Sequence, residues 1–232
     1  MPIFRGRLVT DQSDSRPDST RQQILRAASH QFAHSSYSLV SLDDILAEAE
    51  VTKGAMYFHF RSKHALAIAI IEQQTRMARD VVNELLARRL SGLETLVDIF
   101  YAIAAQETGD EVARAGIHLL ESIGRTEGLQ ANLFREWIRA LAVIIERAST
   151  EGDVIEERDP EDVSRLLVSL YVGIRQTSDL DEPEQFLANL EKGWVLALPG
   201  FVNPDRIEYL TQFIKRRTTL AIKNVARRDD SA

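Results

Sequence analysis

The chain has no cysteine, which excludes a disulfide framework and any thiolate metal site. Proline is informative by where it is missing. The six prolines stand at positions 2, 17, 160, 183, 199 and 204, and none falls between Asp18 and Asp159. Proline breaks helix interiors, so a long proline-free stretch with few glycines and no alternating strand pattern implies an all-α protein. No apolar run approaches the roughly 18 residues needed to span a membrane. The start, MPIFRGRLVTDQSDSRPDSTR, lacks the apolar core of a signal peptide, so a soluble cytoplasmic protein is expected. Glycine-rich phosphate loops and the HExxH, GxSxG and Ser-Xaa-Xaa-Lys patterns are missing too. The pairs Asp43-Asp44 and Glu156-Glu157 are sequence neighbours, which do not share a helix face and make poor acid/base partners. His118 stands alone beyond residue 64 and reads as a structural hydrogen-bonder. No catalytic residue, cofactor or metal is expected.

Of the 232 residues, 44% are hydrophobic, enough for a buried core in one large or two small domains. The net charge is −7, a poor balance for binding nucleic acid. The surplus is not evenly spread. Residues 1–64 carry 8 Lys/Arg against 7 Asp/Glu, so the acidic excess lies beyond them. Four of the five histidines, at 30, 34, 59 and 64, also lie in this first part.

Within that near-neutral part, Ser41–Lys63 reads SLDDILAEAEVTKGAMYFHFRSK. Ser41 with Asp44 forms a capping box in its aspartate form. Leu42, Ile45, Leu46 and Ala49 then share one face. The turn is Ala49-Glu50-Val51, and Thr52 caps a second short helix. Met56 and Phe60 point inward there, leaving Tyr57 and His59 outward. Ser62 caps a third helix. Free N–H groups at a helix N-terminus favour phosphate. Lys53 beside them adds a charge for phosphate or the guanine edge, and Tyr57 and His59 add donors for backbone oxygens. A helical hairpin with an aromatic patch is the plainer interpretation of Tyr57, Phe58 or His59 taken singly. The two caps and short turn together make a helix-turn-helix that binds DNA.

These residues resemble the DNA-binding domain of the TetR family of bacterial transcriptional repressors, over Thr20 to about Ile71. Phe32, Tyr37, Ile45, Ala49, Val51-Thr52-Lys53-Gly54, Tyr57, His59-Phe60, Ser62-Lys63 and Leu66 carry the likeness. It implies that the helix over Thr52–Phe58 enters the major groove. It also implies that Ser41, Lys53, Gly54, Tyr57, His59 and Lys63 contact DNA, mostly its backbone. Arg21, near the start of the first helix, and Thr52 and Ala55, in the cap and first turn of the reading helix, complete the candidate set. Two departures stand out. Ser36 and Glu50 occupy positions where the family usually has glycine. A non-glycine residue at Glu50 costs about 1 kcal/mol if held left-handed, and it places a negative charge near DNA.

Residues 1–19 read as a flexible arm in which Arg5, Arg7 and Arg16 can touch phosphate. The helix-turn-helix domain spans 20–66, and a helical ligand-binding and dimerisation domain spans 67–232. In the first domain a helix runs from Asp18 or Thr20 to about His34. In the second, helices are expected from Ser62 to about Arg89, then at about 93–106, 110–123, 131–150, 159–177, 182–198 and from Pro204. Ser91-Gly92 reads as a break, and Glu151–Arg158 as an acidic loop. Asp159-Pro160 is a cap followed by a first-turn proline.

Wide apolar faces between 91 and 177 suit a bundle around a core or a cavity. From periodicity alone Trp137 is a core tryptophan. Phe134-Arg135-Glu136-Trp137 resembles, however, the tryptophan-bearing helix of the γ-butyrolactone receptors of actinobacteria, a TetR subgroup. That likeness implies that Trp137 lines a pocket for an apolar lactone. Phe134, Phe100, Ile117, Leu120, Leu141 and Tyr171 are the further candidates. The helices at about 159–177 and 182–198 resemble the dimerisation pair of that group. The expected function is a homodimeric repressor on a palindromic DNA operator, released by a small apolar effector. Two half-sites would then lie about 34 Å apart in successive major grooves. Two alternatives keep the fold. One is a regulator that ignores the ligand or needs it as co-repressor. The other is a helical binding protein or enzyme with a weakened DNA-binding head.

Overall fold

In a computed structural model, residues 15–125 and 128–229 are described; Arg5 and Arg7, and the side chain of Arg16, lie outside what is described. Ten α-helices and one 3-10 turn account for nearly all of the ordered backbone among these residues. The only β pairing described is a single bridge, Val154 to Val202. No described helix is long and apolar enough to cross a membrane.

Four helices make the reading head: α1 (Ser15–His34), α2 (Leu42–Glu48), α3 (Lys53–His59) and α4 (Lys63–Leu86). The start of α1 at Ser15 takes five residues from the expected arm, whose last turn is helix. Ile24, Phe32, Ile45, Met56, Leu66 and Ile70 are all but fully buried and form the head's core. Burial of each such side chain stabilises by roughly 1.5–3 kcal/mol, enough to hold two seven-residue helices that would not persist alone.

The remainder is a bundle of α5 (Gly92–Gly109), α6 (Glu111–Ser122), α7 (Leu129–Thr150), α8 (Pro160–Gln176), α9 (Pro183–Ala197) and α10 (Pro204–Asp229). Ser91-Gly92, expected to be a break, is the start of α5. Ser91 caps it in a capping box with Glu94, and Gly92 is buried as its first residue. The helix then runs three residues beyond the expected end, to Gly109. Asp159 caps α8 as expected, its carboxylate accepting from the backbone N–H groups of Glu161 and Asp162. Tyr101, Trp194, Phe186 and Phe201 fill the bundle core.

Head and bundle meet along α6, which packs on both α1 and α4. Ala115, Leu119 and Leu120 of α6 belong to the head's core, so the two domains share it. The approach to α4 is very close at Gly116. A Cβ there would stand 2.4 Å from the Cβ of Gln74, so only glycine fits without moving a helix.

Candidate functional site

The helix-turn-helix forms as its caps require. Ser41 Oγ accepts from the Asp44 N–H at 3.1 Å and donates to the Asp44 carboxylate at 2.5 Å. The Ser41 hydroxyl and the Ser41 backbone N–H, at 3.1 Å, both donate to the Asp44 carboxylate, and these bonds hold it below the ordinary carboxylate range. They also occupy the Ser41 hydroxyl, which must leave Asp44 before it can serve a phosphate. Glu50, in the turn, is left-handed with φ 53°. Thr52 Oγ1 accepts from the Ala55 N–H at 3.2 Å and starts α3.

Met56 and Phe60 anchor α3 to the core, as expected. Thr52, Lys53, Gly54 and Tyr57 lie exposed on its outer side, with Ala55 and His59 half-buried. Thr52, Lys53 and Gly54 stand at the N-terminus of α3, where the dipole and free N–H groups favour phosphate, while Tyr57 and His59 lie further along, His59 in the last turn. Phe58 is 80% exposed, its ring edge-on to His59 at 5.0 Å. The sequence passes over it as one of an aromatic string. Its signal was the spacing, since Met56 and Phe60 take the inward face and leave Phe58 none. Arg21 sits over the Phe60 ring at 5.2 Å on the same head.

Lys63 is the exception. Its Nζ donates to the carbonyls of Tyr37 and Val40 at 2.7 and 2.8 Å and lies 4.3 Å from the Tyr37 ring centre. The ammonium has three N–H groups, so one at most remains for DNA. In this structure Lys63 chiefly ties the α1–α2 loop to the start of α4.

In the bundle, a cavity of about 320 Å³ opens between α4, α5, α7 and α8. Of the seven candidates, Trp137, Phe100, Leu141 and Tyr171, drawn from three of those helices, line it. Phe134, Ile117 and Leu120 do not. Phe134 packs behind Trp137 at 5.5 Å and faces an outer groove instead. Leu120 is spent in the head's core because α6 turns that face toward α1 and α4. Ile117 is buried on α6 without reaching the cavity wall. The residues missed by sequence are those of α4, among them Ala78, Val82 and Gln74. Gln74 is 3% exposed, and its side-chain oxygen has no hydrogen-bond partner. An unpartnered buried amide oxygen on a mostly apolar wall is a ready acceptor for one hydroxyl or N–H of a ligand. Arg79 of α4 and Glu136 of α7 pair at 2.6 Å at the rim.

Behind the cavity, the Tyr171 hydroxyl donates to Glu107 at 3.0 Å. Arg175 reaches Glu107 and Glu121 at 2.6 Å each. Burial pushes the Glu107 carboxyl up, while Arg175 and Tyr171 hold it back. The network was unread because Glu107 lay just past the expected end of α5. Arg175 could have signalled it, standing four residues beyond Tyr171 on the buried face of α8.

These two features, a capped helix-turn-helix and a cavity against the helix that carries it, define a class of one-chain sensor and DNA reader. Residues 24–70 match the family model of bacterial regulatory proteins of the tetR family. Residues 90–203 match the tetracyclin repressor-like C-terminal domain. The A-factor receptor protein of Streptomyces griseus is 30% identical over 200 residues, covering 84% of this chain and 68% of that protein. Among solved structures, CprB of Streptomyces coelicolor with its operator sequence is 29% identical. It has a TM-score of 0.75 and covers 88% of this chain and 98% of that one. A γ-butyrolactone receptor (ArpA-like protein) is 30% identical with TM-score 0.75 and the same coverage. The chain belongs to the TetR family of bacterial regulatory proteins and is a DNA-binding transcriptional regulator.

Proposed function

We propose that the protein is a homodimeric repressor that leaves a palindromic operator when a small, mostly apolar effector enters the cavity around Trp137. One observation carries this. The cavity wall includes Gln74, Ala78 and Val82 of α4, the helix whose first turn is seated on the reading head. A ligand there presses on the lever that positions α3. The cavity's size and apolar lining suit a compact ligand, and the Gln74 amide and the indole N–H of Trp137 suit a carbonyl or hydroxyl on it. A γ-lactone with an aliphatic tail has both parts.

A near-neutral head needs a second copy for useful specificity. Helices α8 and α9 offer the surface, with Leu166 48% and Leu196 82% exposed beside them. Ligand entry favours a dimer whose heads are wrongly spaced, with a coupling of about 1–3 kcal/mol, or roughly 5–150-fold in DNA affinity. The reaction is binding alone, without a catalytic step, and belongs in the cytoplasm with the DNA.

The test is fluorescence anisotropy on DNA upstream of the protein's own gene, with γ-lactones of varied tail titrated while emission is followed in a Trp194→Phe variant, whose one tryptophan is Trp137. DNA release in step with the Trp137 signal is expected, and Lys53→Ala should weaken the complex. A folded dimer that binds no such DNA at low salt would sink the proposal.

A further inference from the structure

His30 and His34 stand one turn apart on α1, the i, i+4 spacing at which two helix-borne imidazoles share a ligand. Glu111, the first residue of α6, meets them from 81 positions away. His30 Nδ1 lies 2.7 Å and His34 Nε2 3.6 Å from the same carboxylate oxygen. The two rings are 5.0 Å apart. One donor atom from each residue falls within 4.8 Å of the others. A single ion bound at roughly 2.0–2.2 Å holds its donors about 3–4 Å apart, so small side-chain rotations suffice. All three side chains are about half exposed, which leaves room for water in the remaining positions. The pair carries no metal signature in sequence, because the third donor belongs to another helix.

We propose that His30, His34 and Glu111 form a divalent transition-metal site that pins α1 of the reading head to α6 of the bundle. Two imidazoles and one carboxylate suit Zn²⁺, Co²⁺, Ni²⁺ or Cu²⁺. Mg²⁺ and Ca²⁺ prefer all-oxygen shells. Glu48 of α2 lies close enough to His30 to favour a cation there. The ion would bridge the seam along which head and bundle share their core. It thereby resists any motion that parts α1 from α6.

The experiment uses the full chain and Co²⁺, whose visible absorption reports its ligands, with Zn²⁺ as competitor. Expected are one ion per chain, an imidazole-type spectrum, and a thermal midpoint raised by Co²⁺. The double variant His30→Gln/His34→Gln should weaken binding at least about 100-fold, and circular dichroism without metal should show it folded. Glu111→Gln should weaken binding about tenfold or more and abolish the midpoint shift. Saturation near one ion per chain that survives the double variant, or no binding at about 100 µM Co²⁺, overturns the site. Unchanged affinity in Glu111→Gln overturns the bridge.

Discussion

Glu50 lets backbone strain and charge be separated at one position. Its φ of 53° is left-handed, a conformation costing a side-chain-bearing residue about 1–2 kcal/mol. Glycine escapes that cost but gives back about 0.4–1 kcal/mol through the freer unfolded chain. Glu50→Gly should therefore stabilise by about 0.5–1 kcal/mol, raising the thermal midpoint by roughly 1–4 °C for a chain of this size. Glu50→Gln keeps the strain and removes only the charge, so its stability should stay within about 0.5 kcal/mol. The DNA effect follows the other term. A carboxylate taken at about 10 Å from a phosphate costs about 0.4 kcal/mol in water, screened to about a third of that near 0.1 M salt. With a few phosphates and two heads, both variants should bind operator roughly threefold tighter at about 0.1 M salt, and more so at lower salt. Urea or thermal unfolding reads the first effect and anisotropy at two salt concentrations the second. If Glu50→Gly is no more stable than Glu50→Gln, the strain argument fails. If Glu50→Gln binds DNA no better than the natural chain, the charge argument fails.

Gly54→Ala should part stability from function. A Cβ there meets only Thr52 Oγ1 at 3.9 Å, so the helix gains about 0.5 kcal/mol while a methyl group on the DNA side weakens operator binding in the same anisotropy assay. Arg175→Met should cost about 3–5 kcal/mol in urea unfolding, because Glu107 is left buried without its cation. Adding Glu107→Gln should recover part of that loss, and no recovery would refute the charge explanation. His118 should make stability fall in acid. Burial and the nearby Arg175 hold its imidazole below the ordinary value of about 6.5. The unfolded chain therefore takes the proton first, and stability present above about pH 6.5 is lost as pH falls below it. His118→Gln should flatten this fall relative to the natural chain between about pH 7 and 5. That comparison cancels His30, whose value Glu111 raises and whose contribution has the opposite sign.

The all-α architecture, the caps at Ser41, Thr52, Ser62 and Asp159, and the outward set on α3 were legible in sequence. Each depends on residues within one or two turns of one another, where caps and 3.6-residue periodicity act. For Trp137 that local pattern implied only a core position, and the resemblance brought it to the cavity that Phe100, Leu141 and Tyr171 also line. Leu120 and Ile117 were misplaced for a non-local reason. Which core a face of α6 fills depends on the helices beside it, and Gly116 against Gln74 sets that contact. The resemblance implies a DNA contact for Lys63, and local pattern could not show the carbonyls of Tyr37 and Val40 that hold it in this structure, because they lie 26 and 23 residues upstream.

By itself, then, the order of residues determined that a helix-turn-helix forms at Ser41–Lys63 and that Lys53 and Tyr57 stand on the outer side of its second helix. Tertiary structure alone decided three things. The head shares its core with α6, the cavity takes one wall from α4, and Glu111 meets His30 and His34. The physical reason is the same for all three. Burial and ion pairing join groups by distance in space, and only the packed chain brings residues dozens of positions apart within bonding range.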